Sequence, residues 1–429
     1  MWALLLMATV VLPVNAAATS QTQEQDGVEQ GPLTVYLVTA GPGDAVWERF
    51  GHNALWIHDA RTGQDIWWNW GLFSFSQEGF ITRLIRGEML YSMGGRPMQA
   101  ELAQYRAQGR SVWAQQLALT QQQAARLDRF VRRNSMPANR DYIYDYYEDN
   151  CSTRVRDAID GALGGVLRAH FEPMAAGTTW REQTRRHVEV SPWTDTGIAL
   201  VLGRPGDEPI SIWQQMFLPL ELRHHLGSLL IESSDGTMQP LVVRELDLVK
   251  SERELPPVQA ASRVPAALAL GGGLGFVILI LGGFAGLRVA GTERRTLASA
   301  RISALALLAG LGVLHLAAGL IGAVLVGSWF TDHDFWRPNE NLLQAGPLSL
   351  LLAIVLFGAL LRPQLEPLAA KGARWIAAIA AFGLLLKAWP GPDQGNFEVL
   401  ALTLPVHLAS AWALSRAVRP VPPETLNVG

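Results

Sequence analysis

The chain reads as an α+β domain followed by an all-α transmembrane domain of five helices. Three observations predict this. Only 17% of the 429 residues are charged, against about 25% in soluble globular proteins. The deficit is uneven: residues 1–255 carry 53 of the 73 charged side chains. Those residues hold 23 bases and 30 acids, whereas residues 256–429 hold 12 bases and 8 acids. Finally, short apolar runs bounded by turn residues fill the first part, and five long apolar stretches fill the second. Such an asymmetry fits a water-facing domain joined to a membrane-embedded one.

Residues 1–18 read as a signal peptide, apolar to Val14 and then small at Ala16, Ala17 and Ala18. An uncleaved anchor is the other reading, and either one exports the domain behind it. A polar linker over 19–31 leads into a domain at 32–255. Strands are expected at 33–39, 52–58, 65–70 and 111–119. Helical spacing predicts helices at 98–107, 120–133, 151–163 and 211–231. A last strand, Leu241–Leu248, precedes Pro256-Pro257.

The transmembrane domain spans 264–418, with helices at 265–288, 302–328, 346–361, 373–388 and 397–415. Most approach the ~20 residues that a crossing needs. One set of connections carries Arg288, Arg294, Arg295, Arg301, Arg362, Lys371, Arg374, Arg416 and Arg419; the other carries only Arg337. The basic set belongs in the cytoplasm. This places residues 32–255 outside the cytoplasm and the C-terminus inside it. Gly271-Gly272-Gly273 and Gly282-Gly283 lie in the first span or at its end, where they suit close helix packing better than phosphate binding.

Several classes are excluded. A single cysteine, Cys151, rules out intramolecular disulfides and multi-cysteine metal sites. The net charge of −3 without a basic tract argues against nucleic-acid binding. The apolar content of 49% argues against disorder. No glycine signature for a nucleotide cofactor occurs, and no cofactor is expected. Asp332-His333-Asp334 lacks a specific metal-ligand spacing, so no metal is expected.

Cys151 is the main chemical candidate. Val155, Ala158, Ile159 and Leu163 follow helical spacing, and Asn150 is a natural N-cap. Cys151 then occupies the first helical position, where partial positive charge favours a thiolate. Helix-start N–H groups there can hold an oxyanion. A small buried hydrophobe is the alternative role. Against it stand the polar neighbours and a thiol kept unpaired in an oxidising compartment.

A thiolate nucleophile needs a base. His52 starts one strand and His58 ends it, ~20 Å apart at ~3.3 Å per residue, so only one can reach Cys151. Gly51 allows close approach beside His52, whereas His58 precedes the turn Ala60–Gly63 and reads as a surface residue. A hydrogen-bonded structural histidine is the competing role for His52. If Ala60–Gly63 form a four-residue hairpin loop, Asp59 pairs with Gln64 and Ala54 with Asn69. Asn69 then shares the face of His52 and can orient its imidazole. Glu48, Asp149, Asn150, Ser152 and Arg154 flank the site as support. His333 and Asn341 lie in the outward loop 329–345, which is either interfacial or in contact with the catalytic domain.

These residues resemble a known pattern. Gly51-His52-Asn53-Ala54 on a strand, then Asn150-Cys151 at a helix start, is similar to the circularly permuted branch of the NlpC-type papain-like superfamily. Lecithin:retinol acyltransferases share this arrangement. More closely, residues 33–250 resemble the periplasmic domain of bacterial Lnb-type lipoprotein N-acyltransferases. The matching stretches are Phe50-Gly51-His52, Asn69-Trp70-Gly71, Asp145 to Arg154 and Phe217-Leu218-Pro219. Asn339-Glu340-Asn341-Leu342-Leu343 resembles a recurring loop of their membrane half.

The resemblance implies a multi-pass protein of the bacterial inner membrane with a permuted papain-like (NlpC-type) periplasmic domain. It implies acyl transfer from a phospholipid donor, through a Cys151 thioester, to the α-amino group of a diacylated lipoprotein acceptor. Cys151 would be nucleophile, His52 base and Asn69 the third polar residue. Two other functions are weighed: an NlpC-type cell-wall peptidase or amidase, and a non-catalytic membrane-anchored binding module.

Overall fold

A computed structural model describes residues 31–233, 235–290, 294–389 and 393–417. The expected signal peptide and most of the linker lie outside the described residues. So do Arg419 and the side chains of Arg288, Arg294 and Arg295.

The first domain runs β1 (Leu33–Ala40), β2 (His52–Asp59), β3 (Gln64–Leu72), α1 (Phe80–Arg86), β4 (Leu90–Pro97), α2 (Met98–Ala107), β5 (Val112–Leu117) and α3 (Gln121–Asn134). It continues β6 (Asp141–Ile143), α4 (Cys151–Leu163), α5 (Val166–Phe171), β7 (Ala175–Thr179), α6 (Trp180–Val188) and α7 (Pro192–Val201). It ends β8 (Pro209–Ser211), α8 (Ile212–Gln215), α9 (Pro219–Ser228), β9 (Leu230–Glu232), β10 (Met238–Pro240) and β11 (Val242–Val249). An antiparallel sheet of order β11-β5-β1-β2-β3-β4-β6 forms its centre.

Alternation gives this sheet two apolar faces. Leu55 and Ile57 of β2 join Trp68 and Trp70 of β3 in the larger core, beneath α3 and α4. Ala54 and Trp67 point the other way, into a smaller core closed by Met98, Leu102 and Tyr105 of α2. The Ala60–Gly63 loop sets the hairpin register, with Asp59 opposite Gln64 and Ala54 opposite Asn69. Thr120 and Gln123 close a capping box at the start of α3, which buries Ala124, Leu127 and Val131 at helical spacing.

The helix expected over 211–231 is two helices and a strand. Pro219 disfavours helical backbone at the residue before it. Leu218 is accordingly extended at φ −92° and ψ 128°, which separates α8 from α9. Strand β4 went unpredicted because Gly94, Gly95 and Pro97 interrupt its alternation.

Five long helices follow among the described residues: α10 (Val264–Ala290), α11 (Arg294–Gly327), α12 (Leu348–Leu361), α13 (Glu366–Leu385) and α14 (Phe397–Ala417). Each contributes to a segment long and apolar enough to cross a membrane. α11 and α13 begin earlier than expected, at Arg294 and Glu366, because hydropathy trims charged end turns. Lys371 and Arg374 therefore sit on α13 rather than in a loop. Gly271 and Gly282 face α14, where a Cβ would come within 2.3 Å of Leu402 O and 2.4 Å of Ala413 Cβ. Small residues are what such close helix packing requires.

The loop over 329–345 joins the two domains. Asn339 Nδ2 donates to Leu200 O and Val201 O, and Asn341 Nδ2 to Ala199 O and Leu200 O. These carbonyls end α7, where a helix leaves acceptors without internal partners. Arg204 and Lys387 both pair with Glu340. Arg185 and Arg263 both pair with Asp195, and Arg185 also reaches Glu398 of α14.

Candidate active site

Cys151 is the first residue of α4, and the helix start is tightly capped. Asn150 Oδ1 accepts from Ser152 N at 2.8 Å and Thr153 N at 3.0 Å. Asn150 Nδ2 donates to Tyr146 O and Phe217 O, pinning the cap to two other segments. The cap uses two of the first helical N–H groups, and among the described residues none accepts from that of Cys151.

His52 and Asn69 lie on adjacent strands and on one face. His52 Nε2 lies 2.9 Å from Asn69 Oδ1, and Trp67 Nε1 donates to the same oxygen at 3.0 Å. An indole N–H only donates, so the shared atom is the amide oxygen. His52 Nε2 must then carry a hydrogen, which leaves Nδ1 as the nitrogen able to act as base. His52 and Cys151 lie close enough that each shifts the other's proton affinity.

Glycine makes the approach possible. Gly71 has φ +88°, and a Cβ there would lie 3.6 Å from Cys151 Cβ. A bulge in the β3–β4 pairing falls here, between Asn69 and Leu72, and bulges re-aim side chains. Gly51 has φ +83°, and a Cβ there would stand 2.7 Å from Ala40 O.

Charge favours an ion pair. Burial pushes the Cys151 thiol up. The positive charge of His52, its hydrogen bond and the N–H groups of Asn53 and Ser152 outweigh burial, and the thiol ends below its ordinary range. Burial likewise pushes His52 down. The negative charge and hydrogen bond of Cys151, with the bond from Asn69, leave it above the usual imidazole value, against a smaller opposing effect of Arg110.

A cavity of about 610 Å³ opens over this pair, a volume typical of small-molecule sites. Cys151, His52, Asn69, Glu48 and Asn150 line it. Glu48 Oε2 accepts from Ala45 N, and its other oxygen is 3.7 Å from Arg110 Nη1. Ser152 is fully buried, with Oγ 2.8 Å from Asn53 Oδ1 and 2.7 Å from Met216 O.

Other expected residues stand outside the cavity lining. Arg154 pairs with Asp149 and covers the Tyr142 ring. His333 donates to Leu84 O and stacks on Trp336, while Asp334 pairs with Arg337. Asn341 belongs to the contact between domains. His58 bonds Asp65 at the far end of the strand. Among the described residues no three His, Cys, Asp or Glu side chains converge as metal ligands.

Tyr91 and Tyr144 also line the cavity, their rings stacked at 4.1 Å. Burial, then the negative charge of Cys151, pushes both phenols up, so they remain hydrogen-bond donors. The tyrosine-rich run 142–147 just before Cys151 was the available signal.

Residues 21–186 match the family model described as the Lnb N-terminal periplasmic domain. The N-terminal domain belongs to that family. No curated protein and no solved structure matches the chain. The match to the Lnb domain covers β1 through most of α6, and with it His52, Asn69 and Cys151. An Lnb periplasmic domain followed by five helices apolar enough to cross a membrane fits a membrane-bound, Lnb-type protein.

Proposed function

We propose that the protein is a lipoprotein N-acyltransferase of the bacterial inner membrane, with a cytoplasmic C-terminus. One observation carries the reading: Cys151, His52 and Asn69 together line a largely apolar cavity, in a domain tied to helices apolar enough to cross a membrane.

The Cys151 thiolate attacks an ester carbonyl of a phospholipid, and a sulfur–carbon bond forms. The oxyanion accepts hydrogen bonds from the Cys151 N–H and the Tyr144 hydroxyl. The ester carbon–oxygen bond breaks, and protonated His52 gives its proton to the departing lyso-lipid. The neutral α-amine of a diacylated lipoprotein then attacks the thioester carbonyl. A nitrogen–carbon bond forms, the thiolate leaves, and His52 takes the amine proton. The ion pair is restored. Holding both lipids in one leaflet raises their effective concentration.

The test uses the full chain in phospholipid vesicles. Intact-mass spectrometry of the donor-only reaction is expected to show one acyl increment on Cys151, removed by hydroxylamine. Adding a diacyl lipopeptide is expected to discharge it as an amide. Wild-type transfer by Cys151→Ser would overturn the assignment, and cleavage of peptidoglycan fragments instead would favour a peptidase.

A further inference from the structure

We propose that the cavity opens sideways into the bilayer, through a portal formed by α1 and the outer end of the second membrane span. Acyl chains reach Cys151 through it along an aromatic lane. This rests on the acyl-transfer reading and specifies how the donor enters.

The lane is continuous. Tyr144 stacks on Tyr91 at 4.1 Å, Tyr91 meets Phe73 at 5.0 Å, and Phe73 meets Phe75 at 4.7 Å. Its inner end lies beside Cys151, because Gly71 adjoins both Tyr144 and Cys151. At its outer end Phe75 is 66% exposed and faces Trp47, also on the surface. Both line the cavity and the exterior at once. Of the charged lining residues, Glu101 and Arg110 lie on α2 and before β5, Arg96 lies five residues beyond Tyr91 on β4, and Glu48, beside Trp47, is 3.7 Å from Arg110.

The rim is apolar beyond the cavity. On α1, Ile81 and Ile85 are 62% and 63% exposed, and Leu84 is also exposed. A contiguous apolar patch of this kind marks an interaction surface. Its position identifies the occupant. Asp332 N donates to Arg86 O at 2.7 Å, and His333 Nε2 to Leu84 O at 3.1 Å. These bonds hold α1 within two or three residues of Phe330, where the second span ends. Trp329 and Phe330 are exposed there, as aromatic residues are at membrane surfaces. The patch is thus continuous with the lipid-facing end of a crossing helix. Arg83 and Arg86 on the same helix suit anionic headgroups.

The experiment has two arms. In the full chain carrying Cys151→Ala, Ile85→Cys is labelled with an environment-sensitive fluorophore and placed in vesicles of phospholipid brominated along its chains. Thr237→Cys, exposed on the β9–β10 turn, is the control. Quenching at position 85 several-fold above that at 237 is expected; equal quenching overturns the portal. In the second arm, Ile81→Glu with Ile85→Glu is made in the chain that retains Cys151. Acylation by long-chain phospholipid in vesicles should fall at least tenfold, while acylation by a short-chain, water-soluble thioester persists. Unchanged phospholipid acylation overturns the portal. If wild-type Cys151 is acylated by neither compound, the enzymatic reading fails, and the quenching arm still decides whether the rim enters lipid.

Discussion

His52 Nε2 and Asn69 Oδ1 stand 2.9 Å apart, and the indole N–H of Trp67 fixes which amide atom His52 meets. The pair sets the imidazole tautomer before substrate arrives. Asn69→Ala should lower the single-turnover rate of Cys151 acylation by about a hundredfold or more, since altering the orienting third residue of a serine triad costs about 10⁴. Trp67→Phe retains the ring but loses the N–H, and should cost less, about threefold to tenfold. A wild-type acylation rate in Asn69→Ala would show that Asn69 does not orient the base.

The Cys151–His52 pair predicts an unusual pH profile. Cys151 loses its proton below the ordinary thiol value of about 8.5, and His52 keeps its proton above the ordinary imidazole value of about 6.5. Both shifts widen the pH range in which thiolate and imidazolium can coexist. Iodoacetamide should alkylate Cys151 well below pH 8.5. In His52→Ala the opposing charge is gone while burial remains, so the inflection should move above that of a free thiol. Unchanged inflections in wild type and variant would dissolve the ion pair.

Much of this geometry was legible, for local reasons. A four-residue loop and two alternating strands determine which residue faces Asn69, and Asn150 marks its helix start by cap chemistry alone. Tyr91 and Tyr144 were not legible as site residues. Their place depends on β4 pairing with β6, where Tyr91 lies opposite Tyr142. That strand is three residues long and has no alternation to read. The contact of Asn341 with Ala199, 142 positions apart, leaves no trace in local pattern either. Helix α9 was obscured by the apolar run at Phe217-Leu218-Pro219, whose proline acts against helix while its neighbours favour it.

Tyr144 supplies the side-chain donor proposed for the oxyanion. Its phenol is held well above the ordinary tyrosine value by burial and by Cys151, so it donates throughout the working range. Tyr144→Phe keeps the stack on Tyr91 and removes only the hydroxyl. Acylation should slow by about 10- to 100-fold, on the scale of a lost oxyanion donor. Thermal stability and the iodoacetamide profile of Cys151 should stay near wild type, because neither uses the oxyanion. A full acylation rate would assign the donor role elsewhere.

Asn341 tests whether the two domains are held together by hydrogen bonding or by shape. Its side chain is fully buried. Nδ2 donates to Ala199 O and Leu200 O at 2.9 Å each, and Oδ1 accepts from Asn396 Nδ2 at 2.8 Å. Asn341→Ala removes this partner from Ala199 O and the Asn396 amide, while Leu200 O keeps Asn339. Stranding a buried polar group costs about 1–3 kcal/mol, so the thermal midpoint of the full chain in detergent should fall by several degrees. Asn341→Asp is nearly isosteric, yet it replaces the donating amide with an oxygen facing two carbonyl oxygens. It should destabilise at least as much as alanine, whereas a contact held by volume alone would tolerate aspartate better. Short-chain acylation of Cys151 should survive both changes, because no atom of Asn341 lines the cavity. Phospholipid acylation should fall in both, because the catalytic domain is then held less firmly against its membrane helices.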